Sequence, residues 1–186
     1  MHDDSETLDD GSVLHDFRLT PRMASYLTAI AAGPYVRRTS SWTSSDGAET
    51  IELGLLCRAS MEQYLDDQDI FHITRKGLEF YHRAFHYPYP WGKYDQIFVP
   101  EYNLGAMENP GCVTFNEELY LFRGPVTRSQ RAGRANTILH EMCHMWFGDL
   151  VTPTWWEDTW LKESFADHQG TWAEAEAAGY TEAWVS

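Results

Sequence analysis

The pentapeptide at positions 140–144, H-E-M-C-H, constrains this chain more than any other feature of its sequence. It lies in a segment, 132–147, whose apolar spacing predicts a helix. Four residues turn a helix through about 400°, so the rings of His140 and His144 leave the same face, one turn apart. Two ring nitrogens placed in this way can bind one zinc ion, and Glu141 lies beside that ion rather than on it. We therefore expect Glu141 to activate a zinc-bound water.

A third metal ligand is needed, because a catalytic zinc ion usually has three protein ligands and one open position. Glu163 follows His144 after 18 intervening residues and lies in a second predicted helix, 158–178. The turn-forming residues Gly148 and Pro153 fall between the two helices. An antiparallel second helix would carry Glu163 back to the two imidazoles, so we expect it to complete the metal site.

One common alternative zinc pattern, H-E-x-x-H-x-x-G-x-x-H, is excluded by the sequence. It needs glycine at 147 and histidine at 150, where this chain has Phe147 and Leu150. Two histidines and one glutamate favour zinc as the metal, and cobalt or manganese remain alternatives at this stage.

A second motif, G-A-M-E-N, lies upstream in a loop rich in glycine, asparagine and proline, 103–111. Alone it indicates only a turn before a strand. Beside a zinc site, Gly105 would let an extended substrate backbone approach closely. Glu108 could pair with a free α-ammonium group, which the interior of a polypeptide cannot offer. The combination predicts an exopeptidase.

Together these segments resemble the aminopeptidase N family of zinc aminopeptidases, whose catalytic domain is thermolysin-like. The resemblance rests on G-A-M-E-N at 105–109, H-E-M-C-H at 140–144 and W-L-K-E-S at 160–164, and covers most of residues 56–175. It implies that His140, His144 and Glu163 bind one zinc ion, that Glu141 activates the water, and that Glu108 binds the substrate's amino terminus. It also implies a substrate-binding role for Gly105, Ala106, Met107 and Asn109.

The chain departs from the family pattern at several positions. Lys162 stands where the family usually has asparagine; directed inward, it could lower metal affinity, and we expect it to point to solvent. His168-Gln169-Gly170 also differs from the usual run of the family. Asp149 lies in a segment that does agree with the family, 146–152, and is a candidate acceptor for the second ring nitrogen of a ligand histidine. The family also uses a tyrosine several tens of residues beyond the glutamate ligand, and Tyr180 is too close to Glu163 to be that residue.

The pattern of elements predicts an α+β fold. Residues 1–55 are expected to form the end of an N-terminal β-sandwich or saddle domain, and residues 56–186 the first, truncated part of a thermolysin-like catalytic domain. Eight Trp, ten Tyr and nine Phe require a large core or an aromatic-lined cleft. Predicted strands lie at 15–20, 35–40, 52–58, 97–99 and 112–115, and predicted helices at 66–86, 132–147 and 158–178.

Composition limits the environment and partners of the chain. A formal net charge of −14 argues against nucleic acid as a partner, because no basic patch could neutralise phosphates. No apolar run reaches the length of about 18 residues that spans a membrane, and the acidic start lacks the pattern of a secretory signal. Three widely separated cysteines suggest free thiols in a reducing compartment. We expect a cytoplasmic protein that binds no membrane.

The sequence thus predicts a zinc metallo-aminopeptidase that acts on peptides with a free N-terminus. The isolated chain is expected to be weakly active or inactive, because it stops soon after the second helix of the motif. Two alternatives stay open: a related zinc endopeptidase or epoxide hydrolase, and a truncated zinc-binding module without catalytic activity.

Overall fold

A mixed five-stranded sheet is the framework of the protein, seen in a computed structural model that describes residues 2–185. The strands are β1 (His2–Thr7), β2 (Val13–Phe17), β3 (Tyr35–Thr43), β4 (Thr50–Arg58), β5 (Lys93–Val99), β6 (Ala106–Met107) and β7 (Cys112–Asn116). Strands β1 and β2 form a separate hairpin, and the large sheet has the order β3-β4-β5-β7-β6. Its two central pairs, β4–β5 and β5–β7, are parallel, and both outer pairs are antiparallel.

Within residues 2–185, four α-helices accompany the sheet. They are α1 (Asp67–Phe85), α2 (Glu117–Tyr120), α3 (Arg128–His144) and α4 (Thr159–Glu176). The first connects the parallel strands β4 and β5, as a parallel pair requires. The helices and the mixed sheet confirm the predicted α+β class.

The domain division at residue 55 stays a prediction. Within the described residues, β4 runs through this position and pairs with β3 on one side and β5 on the other. The sheet is therefore continuous across the expected boundary.

Helix α3 begins earlier than the apolar spacing predicts, at Arg128 rather than near residue 132. A capping box fixes this start. The Thr127 hydroxyl accepts a bond from the Gln130 backbone N–H at 3.2 Å, and the Thr127 N–H donates to the Gln130 side chain at 2.9 Å. The sequence T-x-x-Q therefore carried a start signal that hydrophobic spacing does not detect.

The contact between α1 and α3 is close because Gly77 has no side chain. A Cβ atom there would lie 2.6 Å from Leu139 and 2.8 Å from the sulfur of Met142. The Tyr81 hydroxyl, on the same helix, donates to the Leu139 carbonyl at 2.8 Å. Much of the aromatic content packs around this junction: Tyr81, Phe85, Tyr89, Tyr94 and Trp146. The predicted aromatic core thus supports the helix that carries the histidines.

A buried arginine ties the start of α1 to the same helix. Arg134 is only 2% exposed, and its guanidinium donates to Asp66 at 3.0 Å and to Asp69 at 2.7 Å. Asp66 precedes α1, but its carboxylate binds Arg131 and Arg134 and makes no capping hydrogen bond to the helix. Because an unpaired buried charge is strongly destabilising, this network holds α1 and α3 in one arrangement.

None of the helices within residues 2–185 combines the length and the apolar character needed to cross a membrane.

His82, near the end of α1, lies between two carboxylates of the β3–β4 turn. Its Nδ1 is 3.0 Å from Glu49, and its Nε2 is 3.2 Å from Asp46. A neutral imidazole has only one N–H, so both contacts are favourable only when the ring is doubly protonated. Partial burial alone would lower the pKa of His82, but the bonds to Asp46 and Glu49 outweigh it and raise the pKa above its ordinary value.

Replacing His82 with glutamine is expected to remove a pH-dependent contribution to stability. Because the folded-state pKa is raised, that contribution is fully present below the ordinary value of about 6.5 and is lost as the pH rises through the folded-state pKa. The measurement is the difference in urea midpoint between parent and variant, which should be larger at about pH 5.5 than at about pH 8.5. His72, exposed on the same helix, supplies the control His72→Gln. An equal difference at both pH values would contradict the prediction.

Candidate metal centre

Helices α3 and α4 run antiparallel and bring the predicted ligands to one place. Asn136 donates to Glu174 at 2.8 Å, and Gly170 lies against the backbone of His140. A Cβ atom on Gly170 would be 3.1 Å from the His140 nitrogen and 3.2 Å from its Cα. The missing side chain therefore lets α4 approach α3 at the level of the first histidine.

The three predicted ligand atoms lie at the spacing of a tetrahedral zinc site. The Nε2 atoms of His140 and His144 are 3.2 Å apart, and each is 3.4 Å from Oε2 of Glu163. Ligands at 2.0–2.1 Å from a tetrahedral zinc ion are separated by about 3.3–3.4 Å. The donor set, two imidazoles and one carboxylate, is also a common catalytic zinc set, so these residues fit the metal in both geometry and chemistry.

A backbone carbonyl orients the ring of His144. Its Nδ1 is 3.1 Å from the Phe147 carbonyl oxygen, which can only accept a hydrogen bond. The proton is therefore on Nδ1, and the Nε2 lone pair faces Glu163 and His140. Gly148 makes this fit possible: its φ is +133°, and a Cβ atom there would be 2.9 Å from the same Nδ1.

The expectation that Asp149 orients a ligand histidine is wrong for His144, because the Phe147 carbonyl holds that position. The Asp149 carboxyl is fully buried, and neither of its oxygens has a hydrogen-bond partner among the described residues. Burial raises its pKa to about 9, and Glu108 and Glu141 act in the same direction. Asp149 is therefore a buried, uncompensated carboxyl group near the site.

Glu141 lies next to the predicted ligands His140 and His144. It is 7% exposed, and its Oε2 has no hydrogen-bond partner among the described residues. Burial raises its pKa to about 8, opposed by His140 and assisted by Glu108. A bound dication would act against this rise. One buried carboxylate oxygen of Glu141 is therefore unpaired, and the carboxyl group lies close to His144.

The G-A-M-E-N loop reaches the same site through the edge of the sheet. Ala106 and Met107 form β6 and pair with β7, and Glu108 follows directly. The Glu108 carboxylate is buried and groups with Glu141 and His144, with the candidate ligand atoms within 4.8 Å of one another. The structure thus brings Glu108 to the metal centre.

The other loop residues have different surroundings. Gly105 accepts a hydrogen bond from the Asn116 N–H at 2.8 Å. The side chain of Asn109 donates to the Leu27 carbonyl at 2.9 Å and accepts from Thr114 at 3.1 Å. Asn109 therefore fastens the preceding segment to the loop, and its substrate-binding role stays a prediction, as do those of Gly105, Ala106 and Met107.

The expectation that Lys162 points to solvent is wrong. Its side chain is 5% exposed, and its ammonium group donates to Glu108 and, at 2.7 Å, to Oε1 of Glu163. Burial alone would lower the pKa of Lys162, but the two carboxylates outweigh it and raise the pKa. The decisive factor is the packing of α4 on Gly148, which no local pattern reveals.

Comparison with known proteins agrees with this arrangement. Residues 70–184 match the peptidase family M1 domain. The chain belongs to the peptidase M1 family. This membership and the names of its relatives confirm the resemblance to the aminopeptidase N family.

Three relatives that are named aminopeptidases are several times longer than this chain. It is 49% identical over 164 residues to aminopeptidase N of Streptomyces lividans, a match that covers 88% of this chain and 19% of that protein. It is 34% identical over 161 residues to aminopeptidase N of Mus musculus, with 86% and 16% covered. It is 36% identical over 157 residues to probable aminopeptidase 1 of Saccharolobus solfataricus, with 84% and 19% covered. The chain therefore spans less than a fifth of the length of each of these M1 relatives.

Substituting Gly170 tests whether close helix contact builds the site. In Gly170→Ala the new methyl group meets the backbone of His140, so we expect overpacking to cost about 1–3 kcal/mol of unfolding free energy. Gly133→Ala on α3, where nothing lies within 4 Å, is the matched control and should gain up to about 1 kcal/mol of helix propensity. Urea unfolding measures both. Equal effects of the two substitutions would show that the contact is not tight.

Proposed function

We propose that this chain provides the zinc centre of a metallo-aminopeptidase that hydrolyses the N-terminal residue of peptides. The observation that carries the proposal is the convergence of three ligand atoms, 3.2–3.4 Å apart, beside the free oxygen of Glu141 and the carboxylate of Glu108. His140, His144 and Glu163 would hold one zinc ion. Membership of the M1 family and the aminopeptidase names of the relatives support this assignment.

Glu141 is proposed as the general base. When bound, zinc supplies Lewis-acid polarisation of the scissile carbonyl and makes water more acidic. Glu141 takes the proton of the attacking water on its free carboxylate oxygen and delivers it to the leaving amine. Its position one residue after His140 keeps it beside the reacting water without occupying the open position.

Glu108 is proposed to select the substrate. A free N-terminus brings an ammonium group, and a buried carboxylate favours that charge strongly because it has little contact with water. Glu108 is already paired with the Lys162 ammonium group, so the ammonium group of a substrate would share or replace that partner. A peptide without a free amine makes no such contact, so internal peptide bonds are disfavoured. The substrates are therefore peptides with a free N-terminus.

The proposal also covers the partners of the chain, its location and the activity of the isolated chain. The chain acts without nucleic acid or membrane as a partner, its location is cytoplasmic, and the isolated 186-residue chain is weakly active or inactive. The buried amine-binding carboxylate favours this function over a related endopeptidase or epoxide hydrolase. A zinc-binding module without catalysis is the remaining alternative.

Metal binding tests the ligand assignment directly. The chain is expected to bind one zinc ion. Residues that only support a ligand typically contribute about 10- to 100-fold to metal affinity, so loss of a ligand in Glu163→Ala should weaken zinc binding by more than that. Glu141→Gln should keep its zinc, because Glu141 is not a ligand in this scheme. Zinc content after dialysis and competition with a chromophoric chelator measure both. Full zinc binding by Glu163→Ala would remove this residue from the metal site.

Activity is best measured with the chain grafted in place of the aligned segment of the Streptomyces lividans aminopeptidase N, to which it is 49% identical. The graft should cleave a free-amine peptide substrate and leave its N-acetylated twin intact. Glu141→Gln in the graft should lower kcat by at least about 100-fold while zinc is retained. Equal cleavage of the two substrates would defeat the exopeptidase assignment. An inactive graft that folds and binds zinc would favour the non-catalytic alternative.

A further inference from the structure

Lys162 connects two carboxylates that the proposed function assigns to different tasks. Its ammonium group donates to Oε1 of Glu163, the proposed metal ligand, and to Oε1 of Glu108, the proposed amine-binding residue. Both bonds are made by one side chain that is 5% exposed. A single buried cation therefore joins the metal centre to the substrate-binding carboxylate.

The surroundings of Lys162 fix the position of its ammonium group. The nitrogen lies 5.5 Å from the centre of the Tyr26 ring, within the range of a cation–π contact. Its aliphatic chain packs against Gly148, with Cδ 3.3 Å from the place that a Cβ atom there would occupy. Two carboxylates, one aromatic face and one glycine thus enclose a side chain that is usually mobile.

The two oxygens of Glu163 consequently have different partners. Oε2 is 3.4 Å from the Nε2 atoms of both histidines, and Oε1 is 2.7 Å from the Lys162 nitrogen. A carboxylate free of such a bond can offer both oxygens to one metal ion. Here the ammonium group and the imidazoles contact different oxygens of the same carboxylate.

We propose that Lys162 is a positioning residue that makes Glu163 a one-oxygen metal ligand and weakens metal binding through its charge. Holding Oε1 keeps the fourth coordination position open for water or substrate. The positive charge next to the ligand opposes the approach of a dication. Lys162 would thus lower the affinity of the site for a metal ion and leave one coordination position of that ion open. The inference rests on the proposed function only in that it needs the three-residue metal site.

Two variants separate the geometric effect from the charge effect. Lys162→Met removes both the bond to Glu163 and the positive charge. The double variant Lys162→Met with Glu108→Gln removes the same bond but leaves the net charge of the site unchanged, and it leaves no unpaired carboxylate at position 108. Lys93→Met is the matched control, because Lys93 also pairs with a carboxylate, Asp95, at 2.8 Å.

The measurements are zinc affinity by chelator competition and the visible absorption spectrum of the cobalt(II)-substituted 186-residue chain. Lys162→Met should bind zinc at least about 10-fold more tightly than the parent, because it removes a positive charge beside the ligand. The double variant should show a smaller gain. Both should change the cobalt spectrum from the intense bands of a four-coordinate site to the weaker bands of a five-coordinate one. Lys93→Met should match the parent in affinity and spectrum.

Different failures have different meanings. If the parent takes up neither zinc nor cobalt, the proposed function fails and this inference with it. If the parent binds metal but Lys162→Met binds zinc with equal or lower affinity, the inference alone is overturned. If Lys162→Met does not fold, the charge-balanced double variant decides: a cobalt spectrum identical to that of the parent overturns the inference, and a five-coordinate spectrum supports it.

Discussion

The close antiparallel contact of α3 and α4 is the constraint on which the rest of the site depends. Two of the proposed ligands are one turn apart on α3, which helical geometry alone ensures. The third comes from α4, and its distance from the imidazoles is set by how near the two helix axes can come. Gly170 has no Cβ atom, which would otherwise press against the backbone of His140. The aromatic junction with α1 and the buried Arg134 then hold α3 from its other side.

The proposed metal site contains more acidic side chains than positively charged ones. Glu108, Glu141 and Asp149 are all buried, and Glu163 lies among them with one oxygen facing the imidazoles. Burying like charges together is costly unless cations or protons compensate them. Lys162 compensates two of these carboxylates, and burial favours the protonated form of the others, which appears as the raised pKa of Asp149 and Glu141. A pocket of this kind favours a dication and an ammonium group over neutral ligands.

The parts of the structure that follow from local patterns were predictable from the sequence. The helices that carry H-E-x-x-H and Glu163, the α+β class and the family resemblance all rest on residues close in sequence. The direction of Lys162 was not predictable, because it depends on the space left by Gly148 fourteen positions earlier. The partner of His144 was missed for a related reason. The Asp149 carboxylate could accept a hydrogen bond from the ring, but a tight turn places the Phe147 carbonyl oxygen at that position instead. The early start of α3 is marked by the Thr127–Gln130 capping box, and apolar spacing alone does not detect such a signal.

Gly148 also limits how far this region of the sequence can change. Any other residue there would meet two separate obstacles: a backbone angle that L-amino acids rarely adopt, and a side-chain atom placed against the His144 ring. A substitution elsewhere that makes room beside the His144 ring would leave the unfavourable backbone angle unchanged. No single second substitution can therefore compensate for the loss of Gly148. Exposed neighbours such as Val151 face neither obstacle. Mutational tolerance should therefore fall to a sharp minimum at this one glycine and recover within a few positions on its C-terminal side.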